Sequence, residues 1–208
     1  MKIKLSLAIF FSFLTTNIYC NQYQNAVLAN NINKLYAITK QNLTGINKKA
    51  KNGSTPLHLA SELNNKEMVQ FLIDNGTNRF LTNNKGEIPL HIAAKTCSLS
   101  VMKIIIFCWP HKIDMQRYLN TKDTNGNTFL HLICQRTDIP NDFIKKLLDL
   151  GADRSLTNKN GQKAQDIAKN TFNKMAIESQ SLFSSPEEKN MFEIINHLLN
   201  NNQNINFK

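Results

Sequence analysis

One short phrase recurs along the chain, and its spacing constrains the fold more than any other feature. The phrase reads GSTPLHLA from Gly53, GEIPLHIAA from Gly86 and GNTFLHLIC from Gly126, and a weaker copy, GQKAQDIA, begins at Gly161. The four glycines are separated by 33, 40 and 35 residues. Self-similarity with a period near 33 residues indicates a stack of repeated units rather than a single closed core.

A second apolar stretch with helical spacing follows each of the first three phrases. These stretches read MVQFLIDNG, VMKIIIFCW and FIKKLLDLGAD. The repeated unit is therefore predicted to be a turn, a short helix, a second helix and a loop. Gly76 and Gly151 come where a second helix ends and a left-handed residue is needed. Because such a unit cannot bury both of its faces alone, neighbouring units must stack, and terminal units must be atypical.

The residues at the start of each phrase suit the beginning of a helix. Pro56 and Pro89 fall in the first helical turn, where the N–H that proline lacks would be unpaired anyway. Thr55 and Thr128 precede that turn, where a hydroxyl can cap the helix. In the second phrase Ile88 replaces the threonine. In the third phrase a phenylalanine replaces the proline.

Taken together, these residues resemble ankyrin repeats, whose motif reads Gly-x-Thr-Pro-Leu-His-x-Ala-Ala before a second helix and a hairpin loop. The resemblance covers about residues 21–199 and implies an all-α fold, an ankyrin-repeat solenoid of stacked helix-turn-helix units with hairpin loops. It implies two to three clear repeats with degenerate caps. The residues that carry the structural motif are Thr55, Pro56, Leu57 and His58, then Pro89, Leu90 and His91, then Thr128, Leu130 and His131.

This resemblance predicts a division of the chain into seven segments. They are a signal peptide at 1–20, an N-terminal capping repeat at 21–50, ankyrin repeats at 51–83, 84–123 and 124–158, a degenerate C-terminal repeat with a capping helix at 159–199, and a flexible tail at 200–208. The repeat at 84–123 carries about seven extra residues, which we place within WPHKIDMQRYL. In the last repeat, Asp166 stands at the histidine position.

The first twenty residues have the order of a secretory signal peptide. Lys2 and Lys4 precede an apolar run from Leu5 to Leu14, and polar residues follow. The run is short for a bilayer span, which needs about 20 residues. We expect cleavage after Cys20, export to the periplasm or the exterior, and no stable membrane span after removal of the leader. An uncleaved anchor and lipidation of Cys20 are the alternatives.

The histidines His58, His91 and His131 occupy the same position in successive repeats. The resemblance implies a structural role, in which each imidazole bonds to backbone and ties neighbouring loops together. A catalytic histidine would need a nucleophile and an orienting group beside it. The sequence has no Gly-x-Ser-x-Gly, no HExxH and no zinc-ligand spacing. We therefore expect no enzymatic activity, no metal and no cofactor.

The positive charge of the chain comes almost entirely from lysine. The net charge is +10, and only four of the 25 basic residues are arginines. Arginine is the better fork for phosphates and base edges, so the composition argues against nucleic acid as the partner. Lysines at the predicted loop tips favour another protein with an acidic surface, although a solvated edge is the alternative reading. The candidate partner-binding lysines are Lys48, Lys49, Lys51, Lys85, Lys122 and Lys159.

The insertion supplies two further candidates for partner binding, Trp109 and Tyr118. Trp109 is the only tryptophan of the chain. Binding hot spots are enriched in tryptophan and tyrosine, and insertions in repeat arrays often lie on the binding face. The alternative is that both side chains cover a gap in the stack.

Ankyrin arrays are mostly binding scaffolds, so the resemblance implies a function without catalysis. We expect an exported, monomeric scaffold that binds a partner protein on its concave face. A periplasmic chaperone or inhibitor and a host-directed effector of an intracellular bacterium are two settings for that function. A cysteine-based redox protein is the rival from another class. Cys97, Cys108 and Cys134 remain after leader removal without a CxxC pair, and a disulfide between two of them stays open.

Overall fold

Helices make up nearly all of the regular structure. The structure is a computed structural model that describes residues 22–41, 43, 45–96, 98–108, 115–179 and 186–199. In these residues the β-structure amounts to one isolated antiparallel bridge, between Thr157 and Lys163. The predicted leader, Cys97, Trp109 and the tail lie outside the described residues. Contacts divide the chain into a first unit, Met1–Cys108, and a second unit, Trp109–Lys208.

The described part of the first unit consists of three helix pairs. They are α1 (Gln22–Leu28) with α2 (Ile32–Gln41), α3 (Pro56–Glu62) with α4 (Lys66–Asp74), and α5 (Pro89–Lys95) with α6 (Leu99–Phe107). The first helix of each pair packs on the first helix of the next, α1 on α3 and α3 on α5, and α4 packs on α6. This is the stacking that the repeat period predicts, because each pair covers the apolar face of its neighbour.

Aliphatic side chains fill the space within and between these pairs. Leu57, Leu72, Leu90 and Ile105 have no exposed surface. Full burial of one such side chain contributes about 2 kcal/mol relative to leaving it in water. The core therefore runs along the stack as a continuous layer, and no pair has an apolar centre of its own.

The second unit begins with the short helix α7 (Met115–Leu119), which follows the undescribed part of the insertion. Its other helices are α8 (Phe129–Ile133), α9 (Asn141–Asp149), α10 (Ala164–Ser179) and α11 (Pro186–Leu199). The last of these, α11, packs on both α10 and α9 and buries Met191, Ile194 and Leu198. Asn190 of α11 also donates to the carbonyl oxygen of Ile139 at 2.6 Å. A helix thus closes the last pair where the sequence predicts one.

The loops between pairs share one tight hairpin, as the sequence predicts. In each, the backbone N–H of the first residue donates to the carbonyl oxygen of the fifth at 2.8 or 2.9 Å, in residues 50–54, 83–87, 123–127 and 158–162. In two of these hairpins the turn glycine also makes room for the next loop. A Cβ on Gly53 would lie 2.6 Å from the backbone nitrogen of Asn84, and one on Gly126 would lie 2.9 Å from that of Lys159.

Helix ends also agree with the sequence. Pro56 and Pro89 occupy the first turns of α3 and α5. Gly76 and Gly151, with φ of 78° and 94°, follow the ends of α4 and α9 in the left-handed conformation. Among the described residues, no helix combines the length and apolarity needed to cross a bilayer.

Candidate functional site: the histidine position and the loop tips

His58 joins the start of α3 to the hairpin that follows α4. Its Nδ1 accepts the backbone N–H of Thr55 at 3.1 Å, and its Nε2 lies 2.8 Å from the carbonyl oxygen of Glu87. Because Nδ1 is the acceptor, the ring proton lies on Nε2, which donates to Glu87. The ring is only 1% exposed. We call such a bond, from the histidine position to the carbonyl after the next turn glycine, a rung.

The electrostatics of His58 suit this neutral tautomer. Burial lowers its pKa from 6.5 to about 4, and this effect exceeds the opposing influence of the Glu87 carbonyl and carboxylate. The imidazole therefore stays uncharged at neutral pH. Protonation would place a hydrogen on Nδ1 and remove the only acceptor that the Thr55 N–H uses there.

The same arrangement recurs at His131 and, in part, at His91. The Nδ1 of His131 accepts the Thr128 N–H at 3.2 Å, and its Nε2 lies 3.1 Å from the Gln162 carbonyl oxygen. Burial again lowers the pKa of the ring. His91 is fully buried, and its Nδ1 accepts the N–H of Ile88 at 3.1 Å. The loss of threonine at Ile88 does not disturb this bond, because the donor is backbone.

The two threonines differ from the sequence prediction in what they cap. Thr55 and Thr128 do occupy the position before the first helical turn. However, each hydroxyl oxygen lies 2.8 Å from the histidine Nδ1. Since that nitrogen is the acceptor, the hydroxyl donates to it. The imidazole therefore caps the helix start, and the threonine supports the imidazole.

A rung exists in the first helix pair although no histidine is present there. Gln24 of α1 is fully buried, and its Nε2 donates to the carbonyl oxygen of Ser54 at 3.0 Å and to that of Lys48 at 2.9 Å. Ser54 follows the turn glycine of its hairpin, as Glu87 does. The sequence analysis missed this residue. Its distance of 34 residues from His58 is the signal that could have found it.

In the last helix pair, Asp166 performs the other part of the histidine role. Its Oδ2 accepts the backbone N–H of Lys163 at 2.9 Å. The spacing of three residues matches that between Thr55 and His58. This position is therefore not simply degenerate, because the carboxylate still caps the start of α10.

Two arginines close the C-terminal ends of second helices. Arg79 donates to the carbonyl oxygens of Ile105 and Cys108, at 3.0 and 2.9 Å, where α6 ends. Arg154 donates to the carbonyl oxygen of His197 in α11 at 3.1 Å. The last carbonyls of a helix carry partial negative charge, so a cation is favourable there. The sequence analysis assigned neither role, although each arginine follows the helix-ending glycine by three residues.

The loop-tip lysines fall into two groups. Lys49 donates from Nζ to the carbonyl oxygen of Thr82 at 2.6 Å, and Lys122 does the same to Thr157 at 2.8 Å. These two ammonium groups tie adjacent loops together, which differs from their predicted role as partner contacts. The other four are also exposed at loop tips: Lys48, Lys51, Lys85 and Lys159.

The aromatic candidates of the insertion do not form an exposed patch in the described structure. Tyr118, in α7, has no exposed surface. Its predicted role as a partner contact is therefore wrong, and the alternative, that it fills the interior, holds. Trp109 lies outside the described residues, so its role stays a prediction.

The described cysteines are both free thiols. Cys108 is exposed and Cys134 is buried. Burial raises the pKa of Cys134 to about 12, so this thiol stays protonated and is a poor nucleophile. A disulfide that involves Cys97 stays an open prediction. Among the residues that the structure describes, no cluster of three or more His, Cys, Asp or Glu side chains is placed to hold a metal ion.

Stacked helix pairs, glycine hairpins and an imidazole at each helix start define the class of ankyrin-repeat proteins. The family model described as "Ankyrin repeats (3 copies)" matches residues 24–118 of this chain. The match includes α1 and α2, whose segment lacks the Pro-Leu-His phrase. It ends before α8, where the histidine geometry nevertheless continues. The chain thus contains ankyrin repeats and has the ankyrin-repeat solenoid fold.

Relatives share the repeats over part of their own length. Human "Transient receptor potential cation channel subfamily A member 1" is 36% identical over 110 residues, which is 52% of this chain and 9% of the channel subunit. "Probable 26S proteasome regulatory subunit p28" of Saccharomyces cerevisiae is 33% identical over 127 residues, 60% of this chain and 52% of that protein. An ankyrin repeat protein of Acanthamoeba polyphaga mimivirus is 32% identical over 111 residues, 53% of this chain and 13% of its own length. Ankyrin repeats generally mediate protein–protein interaction, and that is the function these comparisons support.

Proposed function

We propose that this protein is an exported, monomeric, non-enzymatic scaffold that binds an acidic surface of a partner protein. The binding surface consists of the loop tips, which in ankyrin arrays border the concave face. The observation that carries the proposal is the placement of Lys48, Lys51 and Lys85 on two adjacent hairpins of the first unit, all exposed. Like charges on a shared edge attract an acidic partner and speed its encounter.

Bonds between the two hairpins make this edge a pre-organised surface. The backbone N–H of Asn84 donates to the carbonyl oxygen of Asn52 at 3.0 Å, and its side-chain Nδ2 donates to that of Lys51 at 3.1 Å. The rung of His58 holds the same loop from below. Because the backbone is already tied, little ordering entropy is lost when a partner binds.

A capture experiment with matched charge reversals tests the loop-tip surface. The test variant changes Lys48, Lys51 and Lys85 to glutamate and leaves Lys49, which bonds to the next loop, in place. The control variant changes Lys34, Lys40 and Lys103, on the second helices α2 and α6, and so alters the net charge equally. We expect the test variant to lose the partner from envelope or host extract and the control to retain it. Equal recovery by both variants would reject the loop tips as the binding surface.

The export part of the proposal rests on the leader. Cleavage after Cys20 would leave α1, which begins at Gln22, intact. The mass of the exported protein tests this, since cleavage leaves a chain that begins at Asn21. An exported form that keeps residues 1–20 would contradict the proposal. Recovery of the partner from envelope extract favours a periplasmic chaperone or inhibitor, and recovery from host extract favours a host-directed effector.

The redox alternative has less support. A cysteine-based redox protein needs a thiolate that forms readily near neutral pH. The raised pKa of Cys134 weighs against that role for this residue. Titration of the reactive thiols with a thiol-specific reagent at increasing pH would revive the alternative if it found a thiol with a pKa well below the ordinary value.

A further inference from the structure

A continuous groove runs along the second helices of the first unit, away from the loop tips. It joins two depressions of about 530 Å³ each. One lies where the helices of each pair turn, and the other lies between α2, α4 and α6. Both depressions share Ile32, Lys66 and Glu67, so they are parts of one groove, which we call the outer groove.

The floor of the outer groove is unusually apolar for an exposed surface. Tyr36 is 51% exposed, and its ring packs edge-on against Phe71 with centroids 4.4 Å apart. Ile104 of α6 lines the same end. At the other end Leu28 is joined by Leu63, which is 39% exposed. Contiguous apolar surface of this kind, rimmed by polar residues, typically marks an interaction site.

Two carboxylates on α4 stand along the rim. Glu67 and Asp74 both line the outer groove and are exposed. They lie seven residues apart, which is about two helical turns and places them on one side of α4. Gln70, between them, donates from Nε2 to Asp74 at 2.7 Å. Within the described residues, neither carboxylate takes part in an ion pair.

The charge at the outer groove is therefore opposite in sign to that of the loop tips. Lys66 lies next to Glu67 and weakens the negative potential there, so Asp74 provides the stronger selection. A ligand that complements the groove presents an apolar stripe to Tyr36 and Leu63 and a basic residue to each carboxylate. The length of α4, nine residues, corresponds to about 13 Å, which suits a helix of similar length lying alongside.

From this arrangement we propose that the outer groove binds an amphipathic helix of a partner protein. The helix carries bulky apolar residues along one face and lysine or arginine at two positions seven residues apart. This is helix-in-groove recognition, with apolar anchors for affinity and a charge pair for register. The site is separate from the loop tips, and its ligand has the opposite charge.

The chain contains a matched control for the two carboxylates. Asp142 and Asp149 stand at the corresponding positions of α9, again seven residues apart and exposed. A double reversal to lysine in either helix makes the same change in charge. It also removes one acidic residue from a first helical turn in both cases, so the cost in helix stability is similar.

The test uses the full chain and two fluorescein-labelled synthetic peptides of 18 residues. Both peptides carry the same leucine and phenylalanine stripe, and they differ only in having lysine or glutamate at two sites seven residues apart. Fluorescence anisotropy gives the dissociation constants. We expect the lysine peptide to bind about tenfold more tightly than the glutamate peptide.

Three variants then locate the binding. Glu67→Lys with Asp74→Lys should weaken the lysine peptide by about tenfold, whereas Asp142→Lys with Asp149→Lys should change it by less than about twofold. Tyr36→Ser should weaken both peptides, and circular dichroism confirms that each variant is folded. Equal weakening by the two reversals would overturn the proposal, because the effect would then be one of net charge. Preference for the glutamate peptide would also overturn it and would direct attention to the loop tips.

Discussion

His58 and Asp166 stand at the same motif position in two regions of the molecule, but they bond in different directions. His58 accepts the N–H of Thr55 at the helix start and also donates to the Glu87 carbonyl of the next hairpin. Asp166 accepts the N–H of Lys163 and, as an ionised carboxylate, has no proton to donate onward. Gln24, at the first position, makes the onward bond to Ser54. The histidine thus combines two functions that the outermost positions divide between them.

The difference explains why imidazole is used wherever a helix start must also be tied to a following loop. A neutral imidazole has an acceptor and a donor on opposite sides of one rigid ring. An amide or a carboxylate of similar size is a flexible group with its polar atoms at one end. The repeat motif therefore encodes a connection between neighbours, and a position that needs only one of the two bonds can change its residue.

The sharpest test of this comparison is the removal of the side chain. His58→Ala leaves the Thr55 N–H and the Glu87 carbonyl buried without this partner, at about 1–3 kcal/mol each, so we expect a loss of about 4 kcal/mol. Asp166→Ala removes only a cap and should cost about 1 kcal/mol. Urea unfolding measures both. His58→Gln, which keeps a donor, should recover part of the loss. Equal costs for the two alanine variants would break the comparison.

The turn glycines allow the same comparison at the loops. Gly126 and Gly161 have φ of 77° and 72°, but the backbone of the next hairpin approaches Gly126, whereas nothing lies within 4 Å of a Cβ on Gly161. Gly161→Ala should cost about 1 kcal/mol for the left-handed backbone alone. Gly126→Ala adds a clash with Lys159, and we expect about 3 kcal/mol in total. Thermal unfolding distinguishes them, and similar midpoints would show that the loops are not closely stacked.

The pH dependence of stability reports on the rung of His58 directly. Its pKa is about 4 in the folded protein and 6.5 when unfolded, so the unfolded chain takes up the proton first as the pH falls. Stability is therefore present above pH 6.5 and declines toward pH 4. Between about pH 8 and 5 the expected loss is about 2 kcal/mol from this residue. His131 contributes in the same direction.

The control for this profile is His58→Gln, measured over the same range. The variant should show a slope reduced by the share of His58, while that of His131 remains. The carboxylates Glu87 and Asp138, whose pKa values are lowered, lose their contribution only at more acidic pH. An unchanged profile in the variant would mean that His58 is not buried in its neutral form.

The smallest expected effect separates the two groups of loop-tip lysines. Lys49→Met removes the bond from Nζ to Thr82 and should cost about 0.5 kcal/mol, because the group is exposed. Lys85→Met should leave stability unchanged and weaken partner capture instead. Urea titrations and capture assays on the same two variants measure both quantities. A reversed pattern would exchange the structural and binding roles of these lysines.

The repeat period was enough to predict the helix pairs, the hairpins and the structural histidines. Stacking of identical units demands the same geometry at each copy, so one phrase, such as that around Gly53 and His58, describes several places at once. Gln24 could not be found in this way, because its segment has neither the glycine nor the Pro-Leu-His phrase before it. Only the carbonyl of Ser54, brought close by folding, identifies its role.

Other roles depend on directions that composition does not contain. Lys48 and Lys49 are neighbours at one loop tip, and only the position of the Thr82 carbonyl in the next repeat distinguishes them. Tyr118 has the residue type of a hot spot, but its helix places the ring in the interior. The outer groove likewise arises from residues of three helices that the period does not bring together by itself.

The burial of Cys134 gives the second unit a chemical clock. An alkylating reagent can reach this sulfur only when α8 and its surroundings open, so the labelling rate measures how often that happens. Cys108, being exposed, reacts without such a delay and serves as the internal reference. Peptide mass mapping of the two sites over time would then rank every substitution by how much it loosens the interior, in an intact protein under native conditions.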